Sequence, residues 1–367
     1  MKTGLLWDER YFWYDFGDYR NLMGGHPYIQ PGSFAETPES KRRILNLLAT
    51  SGMLPRLHAL RPDPVDAREL CCVHDEAYVD AVRALSAGAG GSLGPGVPVP
   101  AGGYEIAALA VGGTRRAIDA VLRGEVNNAY ALVRPPGHHA ERDRGWGLCI
   151  FSNAAVATKL AMREHRLARV AIVDWDAHHG NGTESAFYED PSVLTISIHQ
   201  DLVVPGRGAV QDFGRGAGEG YNINIPLPPG SGTGAYLATI DRVIAPALRR
   251  FKPELILVAS GLDAHSSDPT ARMLLMSDSY RIMGKRLVDL AVELCDGRLV
   301  MTHEGGYEPT ATPFCALALM EAMSGIRTEV RDPFGEIREE SLGDHQRLQP
   351  HQETVIEQAE ALLARVH

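Results

Sequence analysis

The sequence predicts an α/β fold with a central, mainly parallel sheet flanked by helices, and three observations carry that expectation. Short apolar runs rich in β-branched residues alternate along the chain with longer amphipathic stretches, the pattern of parallel strands covered on both faces. Runs such as VAIVD at 170–174 and LILVAS at 255–260 are apolar almost throughout, as strands buried on two sides require. Histidine- and aspartate-rich segments follow several of these runs, where open parallel sheets gather their ligands.

In chain order, the candidate strands are residues 4–7, 70–73, 129–133, 170–174, 194–198, 255–260 and 299–302, each a short apolar run with turn or charged residues around it. The candidate helices are residues 38–48, 75–84, 104–122, 153–164, 234–249, 278–294 and 313–323, where apolar residues recur at three- and four-residue spacing. Residues 86–103 are rich in Gly and Pro, but the same alternation continues on both sides, so the stretch reads as a surface loop and not a linker. Residues 349–366 read as a terminal helix without a signature of its own. No internal repeat is visible, and the expectation is one domain over residues 1–367.

Composition sets limits on partners. A formal charge of −10 argues against a nucleic-acid backbone or an anionic membrane as the main partner and would steer a cationic small molecule or basic peptide favourably. The five cysteines, Cys71, Cys72, Cys149, Cys295 and Cys315, form no CxxC pair and sit mostly in apolar runs, as reduced, buried thiols do. Asp8 and Glu9 arrive before any apolar stretch long enough for a signal segment, and no run of about 18 apolar residues occurs. A cytoplasmic protein is expected.

Polar residues follow four of the predicted strands: His138 and His139, Asp174 to His178, Asp263, and Tyr307. In RVAIVDWDAHHGNG an apolar strand runs into Asp174, Asp176 and His178, spaced two apart, so that in extended backbone they share one face. Carboxylates and an imidazole converging at the end of a buried strand must be paired, protonated or metallated. Asp263 in VASGLDAH adds an oxygen donor at another strand end. One imidazole and two carboxylates would hold a divalent cation and leave positions open, as three-ligand zinc sites do; taken singly, each of these motifs is as compatible with a turn or a helix cap. Adjacent His138 and His139 in RPPGHHAERDRGWG suit proton transfer near neutral pH. Tyr307 follows two glycines in THEGGYEP and could donate its hydroxyl to a developing oxyanion.

Taken in order, RPPGHH, DWDAHHGNG, SGLDAH and EGGY resemble the histone deacetylase superfamily, particularly its class II and bacterial amidohydrolase branch, over most of the chain. The resemblance implies an arginase/deacetylase-like three-layer fold and a single Zn2+ on Asp176, His178 and Asp263, with acyl-amide hydrolysis by metal-activated water. It implies catalytic roles for His138, His139 and Tyr307, with Asp174 orienting the first histidine and Asn181 the second. It further implies a K+ bound through backbone oxygens near Asp174, His178 and Ser197, an arginine beneath the site at Arg43, and homo-oligomers.

The chain departs from the family's acetyl-lysine enzymes where two phenylalanines usually line the substrate channel: Leu148 and Val204 stand there. That widens the channel and removes two aromatic faces. The aromatic stretch with Tyr11, Phe12, Trp13, Tyr14, Phe16 and Tyr19 is expected to shape the mouth or to pack on a neighbouring subunit. The resemblance implies an acylated amine as substrate, either acyl-lysine or an acetylpolyamine or other small amide. Two other readings stay open: a two-manganese ureohydrolase, to which His265 could add a ligand, and a silent metal-binding module.

Overall fold

The computed structural model describes residues 1–18, 26–32, 34–94 and 96–366. Strands β1 (Thr3–Leu6), β2 (His58–Leu60), β5 (Asn128–Ala131), β6 (Val170–Asp174), β7 (Val193–Gln200), β8 (Asn222–Leu227), β9 (Leu255–Ser260) and β10 (Leu299–His303) form one eight-stranded sheet. Its order is β2-β1-β5-β10-β9-β6-β7-β8, and every pairing is parallel. β3 (Gly91–Ser92) and β4 (Pro98–Val99) make a separate antiparallel pair inside the stretch expected to be loop. The central strands are buried along their whole length, which is why their sequences show no polar alternation.

Helices α1 (Pro38–Thr50), α2 (Ala67–Leu70), α3 (Glu76–Ala87), α4 (Gly103–Leu122), α5 (Asn153–His165) and α6 (Asn181–Phe187) precede the last four strands of the sheet in the chain. Then come α7 (Thr233–Thr239), α8 (Ala245–Phe251), α9 (Ser277–Cys295), α10 (Thr312–Ser324), α11 (Gly335–Leu342) and α12 (Pro350–Leu362). In one group α9 packs on α10 and α10 on α1, and in another α4 packs on α5. The helix expected at 234–249 is continuous in direction, but Ile240–Ile244 forms a π-type turn between α7 and α8. Pro246 has no N–H to offer the carbonyl one turn back, so the ladder shifts there.

Six of the seven expected strands are present. The seventh, residues 70–73, is instead the end of α2 and the turn after it. Asp66 and Glu69 close a capping box, with the Glu69 N–H on Asp66 Oδ1 and the Asp66 N–H on Glu69 Oε2, both at 2.8 Å. That local pairing starts a helix where the apolar run alone suggests a strand. Besides the β3–β4 pair, two strands of the large sheet escaped the sequence pattern, and both lie at its edges: β2 is three residues long, and β8 contains Pro226, which only an edge or bulge tolerates.

The aromatic stretch near the N-terminus belongs to the core and not to a rim. Tyr11, Phe12, Tyr14 and Phe16 are buried, Tyr11 donates to the Leu109 carbonyl and Tyr14 to that of Pro98. Only Trp13 is exposed, at 74%, while Tyr19 lies outside the described residues. Of the cysteines, Cys149, Cys295 and Cys315 are buried as expected, but Cys71 is exposed and Cys72 half-buried, and all five are free thiols.

Candidate metal centre and catalytic site

The four strands that carry the predicted polar residues, β5, β10, β9 and β6, are consecutive neighbours at the middle of the sheet. Their carboxyl ends therefore meet at one place, although the residues they deliver are spread from 138 to 307 in the chain.

Asp176, His178 and Asp263 come together there, with ligand atoms within 4.8 Å of one another and all three residues buried. His178 Nδ1 stands 3.0 Å from Asp176 Oδ1 and 2.9 Å from Asp263 Oδ2. A ring nitrogen carries at most one proton, so it cannot donate fully to both carboxylates. Atoms bound tetrahedrally to zinc at 2.0–2.1 Å stand roughly 3.3 Å apart, close to the spacing of this set. Burial pushes the Asp263 carboxyl up, the nearby Asp176 charge adds to that, and the result is about 7. Two buried carboxylates and one imidazole thus form a donor set suited to a divalent cation.

Backbone shape permits this crowding. Gly305 donates its N–H to Asp176 Oδ2 at 2.8 Å, and a Cβ on Gly305 would stand 2.4 Å from Asp263 Oδ2. Gly305 is therefore required by the carboxylates themselves. Ala177 N–H donates to Asp263 Oδ1 at 2.8 Å, and His178 N–H to Asp176 Oδ1 at 2.9 Å.

His138 and His139 lie with ring centroids 4.0 Å apart, and His139 is 6.0 Å from the His178 ring. Their settings differ. His138 Nδ1 meets Asp174 Oδ2 at 2.9 Å; burial lowers its pKa, but Asp176, Asp174 and Glu304 together outweigh burial and bring it to about 10. His139 Nδ1 meets Asn181 Oδ1 at 2.7 Å; burial and the neighbouring His138 and His178 hold its pKa well below the ordinary value. The two settings push the rings in opposite directions, His138 toward the cation and His139 toward the neutral form. Gly147 makes the close approach to His139 possible: at φ +52°, its place for a Cβ lies 2.4 Å from His139 Cδ2.

Tyr307 is buried, and its N–H donates to Asp268 Oδ2 at 2.8 Å. Burial first, and then Asp176 and Asp263, push its phenol well above the ordinary value, so it remains a hydrogen-bond donor. Leu148 is buried in the same apolar cluster as Tyr307 and adopts φ +70°, a strained conformation for a side chain with a Cβ. Val204 is 57% exposed. Asp174 and Ser197 face each other in register between β6 and β7.

The histone deacetylase domain profile matches residues 34–323. The chain belongs to the histone deacetylase family. It is 45% identical over 336 residues to a histone deacetylase-like amidohydrolase of Pseudomonas aeruginosa, covering 90% of this chain and 88% of that protein. It is 40% identical over 337 residues to a probable deacetylase of Archaeoglobus fulgidus, covering 91% and 89%. The crystal structure of an HDA15 HD domain superposes with a TM-score of 0.84 at 28% identity, covering 99% of this chain and 96% of that one. The sheet and its helices are thus an arginase/deacetylase-like fold, and the chain is a hydrolytic enzyme of this family.

Several site residues were not singled out in the sequence. Glu304 accepts from the Gly137 N–H at 2.7 Å and the His138 N–H at 3.1 Å, and so fixes the histidine loop; it sits at the end of β10, where the strand-end rule would have pointed to it. Asp268 and Glu141 lie in loops, with no periodic signal to mark them. Arg43, expected beneath the site, is instead half exposed and paired with Glu39. The cations in that position are Arg134 and Lys41, both buried on Glu36, and Lys41 Nζ stands 5.2 Å from the Tyr307 ring centroid. A helix repeats every 3.6 residues, so the inward face of α1 falls on Lys41, and Arg43, two residues later, points away. His265 takes no part in the metal grouping: its Nδ1 accepts from the Ser267 N–H at 3.2 Å.

Among the described residues, no helix is long and apolar enough to cross a membrane.

Proposed function

We propose that this member of the family is a zinc-dependent amidohydrolase that removes an acetyl-type acyl group from an amine such as acyl-lysine. The observation that carries the reading is the three-donor cluster of Asp176, His178 and Asp263 with the His139 ring 6.0 Å from the His178 ring and the buried Tyr307 at the neighbouring strand end. Bound by those three residues, zinc would supply polarisation of the acyl carbonyl and acidification of water. His139 is neutral with its Nδ1 committed to Asn181, which leaves Nε2 to take the proton from water and return it to the leaving amine. His138, held as a cation by Asp174, stabilises the negative charge that develops. Tyr307 donates its hydroxyl to the carbonyl oxygen as that oxygen becomes an anion.

Leu148 and Val204 would line the substrate channel, and the absence of aromatic faces there favours an acyl amine that needs no flat sandwich around its alkyl chain. The neighbouring positions of Asp174 and Ser197 in the sheet support a K+ at their backbone oxygens. The whole chain would act as one catalytic domain, in the cytoplasm and as a homo-oligomer.

Hydrolysis of fluorogenic lysine amides carrying acetyl, trifluoroacetyl or bulkier acyl groups, alongside acetylated polyamines, tests the reading. Turnover that disappears in both Tyr307→Phe and His139→Ala is expected. An absence of turnover on every amide by protein carrying stoichiometric zinc would overturn it.

A further inference from the structure

The side-chain amide of Asn181 must point one way for His139 to act as a base, and the structure shows what enforces that direction. With Oδ1 toward the imidazole, at 2.7 Å, His139 carries its proton on Nδ1 and keeps a lone pair on Nε2. With the amide turned over, Nδ2 would donate to Nδ1, the proton would move to Nε2, and no lone pair would face the reaction. An isolated asparagine has little preference between the two, since oxygen and nitrogen are nearly the same size.

Asn181 is not isolated. Its Nδ2 donates to Glu141 Oε1 at 2.7 Å and to the His139 carbonyl at 3.3 Å. Turned over, Oδ1 would face both of these acceptors with no proton between them. Glu141 is itself held on all sides. Arg144 binds its Oε2 through Nε at 3.1 Å and Nη2 at 2.5 Å, and Arg207 Nη1 binds its Oε1 at 3.0 Å. The Glu141 N–H donates to the Arg144 carbonyl at 2.9 Å, and His74 Nδ1 meets the Glu141 carbonyl at 2.9 Å.

We propose that Glu141 is a positioning residue that locks the Asn181 amide, and through it the base tautomer of His139. The inference rests on His139 being the base of the proposed hydrolysis. It also carries a charge rule: position 181 tolerates an amide because a carboxylate stands behind it at 141, and an aspartate at 181 would place two carboxylates at hydrogen-bond distance.

Four variants, read by kcat and KM on acetyl-lysine amide, test this, with the His139 tautomer followed by imidazole 15N NMR. Glu141→Ala lowers kcat by about 10- to 100-fold, the usual scale for a residue that orients another, with KM changed less than threefold and the Nδ1–H signature of His139 lost. Glu141→Gln, which still offers an acceptor to Asn181, recovers most of that kcat. Asn181→Asp alone lowers kcat, and Glu141→Gln combined with Asn181→Asp restores it, because the glutamine amide can turn to donate to the aspartate. Losses that multiply in the double variant, or a Glu141→Ala enzyme with wild-type kcat and tautomer, would overturn the proposal. Failure of the underlying reading looks different: His139→Ala would then retain turnover, or the wild type would show none.

Discussion

The buried charge cluster around Glu36 and the one around Asp176 resolve their charge in opposite ways. Glu36 meets Arg134 through paired contacts of 2.6–3.1 Å and Lys41 at 3.1 Å, and Arg134 also donates to the Tyr11 and Tyr14 carbonyls at 2.9 and 2.6 Å. Burial raises the Glu36 carboxyl, but Arg134 and Lys41 outweigh it and bring it down to about 2. At Asp176, His178 and Asp263 two carboxylates share one imidazole, and Asp263 is pushed up to about 7. The first cluster is complete within the protein and ties the N-terminal segment to the sheet. The second is short of positive charge. Equal burial therefore does not imply equal purpose: the cluster that cannot satisfy itself is the one built for a cation.

Removing the cation should give the largest effect. Treatment with a chelator, or Asp263→Asn, is expected to lower kcat/KM by at least about 10³-fold, near 4 kcal/mol at 1.36 kcal/mol per tenfold. Chelated protein should also melt at a lower temperature than zinc-saturated protein. Equal melting temperatures by calorimetry would erase the contrast between the clusters. Glu36→Gln leaves two buried cations short of their anion and should cost about 3–5 kcal/mol of folding stability, measured by urea unfolding, while the protein still binds one zinc per chain.

Tyr307→Phe keeps the packing and removes one donor, and should raise the barrier by about 3–4 kcal/mol with little change in unfolding midpoint. A large loss of stability instead would show that the hydroxyl serves packing. Acid should act on the self-contained cluster. The Glu36 carboxyl is lowered from 4.5 to about 2 in the folded chain, so its stabilisation is fully present above pH 4.5 and is lost as pH falls through 2. The shift corresponds to about 3 kcal/mol, and the Glu36→Gln protein should show a correspondingly flatter stability profile between pH 4.5 and 2. The smallest effect belongs to Trp13, the only exposed member of its aromatic group among the described residues. Trp13→Ala should stay within about 0.5 kcal/mol of wild type and leave kcat/KM on every acyl amide unchanged; a change confined to bulky amides would restore a role at the mouth.

Strands were legible where burial on both faces removes every polar residue, as in β6 and β9, and illegible at the edges, where β8 keeps asparagines and a proline. The candidate donor set was legible because Asp176 and His178 follow one strand in alternation with its last residue, Asp174, and the third donor, Asp263, follows another. Arg43 misled because only the rotation of α1 decides which of its cations turns inward. The aromatic stretch misled because composition does not distinguish a core segment from a rim.

By itself the sequence determined the alternating α/β plan, the strand ends at which polar residues collect, and the identity of the donors and tandem histidines, since these depend on local pattern and residue chemistry. The tertiary structure decided that β5, β10, β9 and β6 are neighbours, that Glu36 chooses Arg134 and Lys41, and that Glu141 stands behind Asn181. Apart from Glu36 and Lys41, those relations join residues 40 or more positions apart. They depend on which surfaces meet when apolar area is withdrawn from water, and no local spacing encodes them.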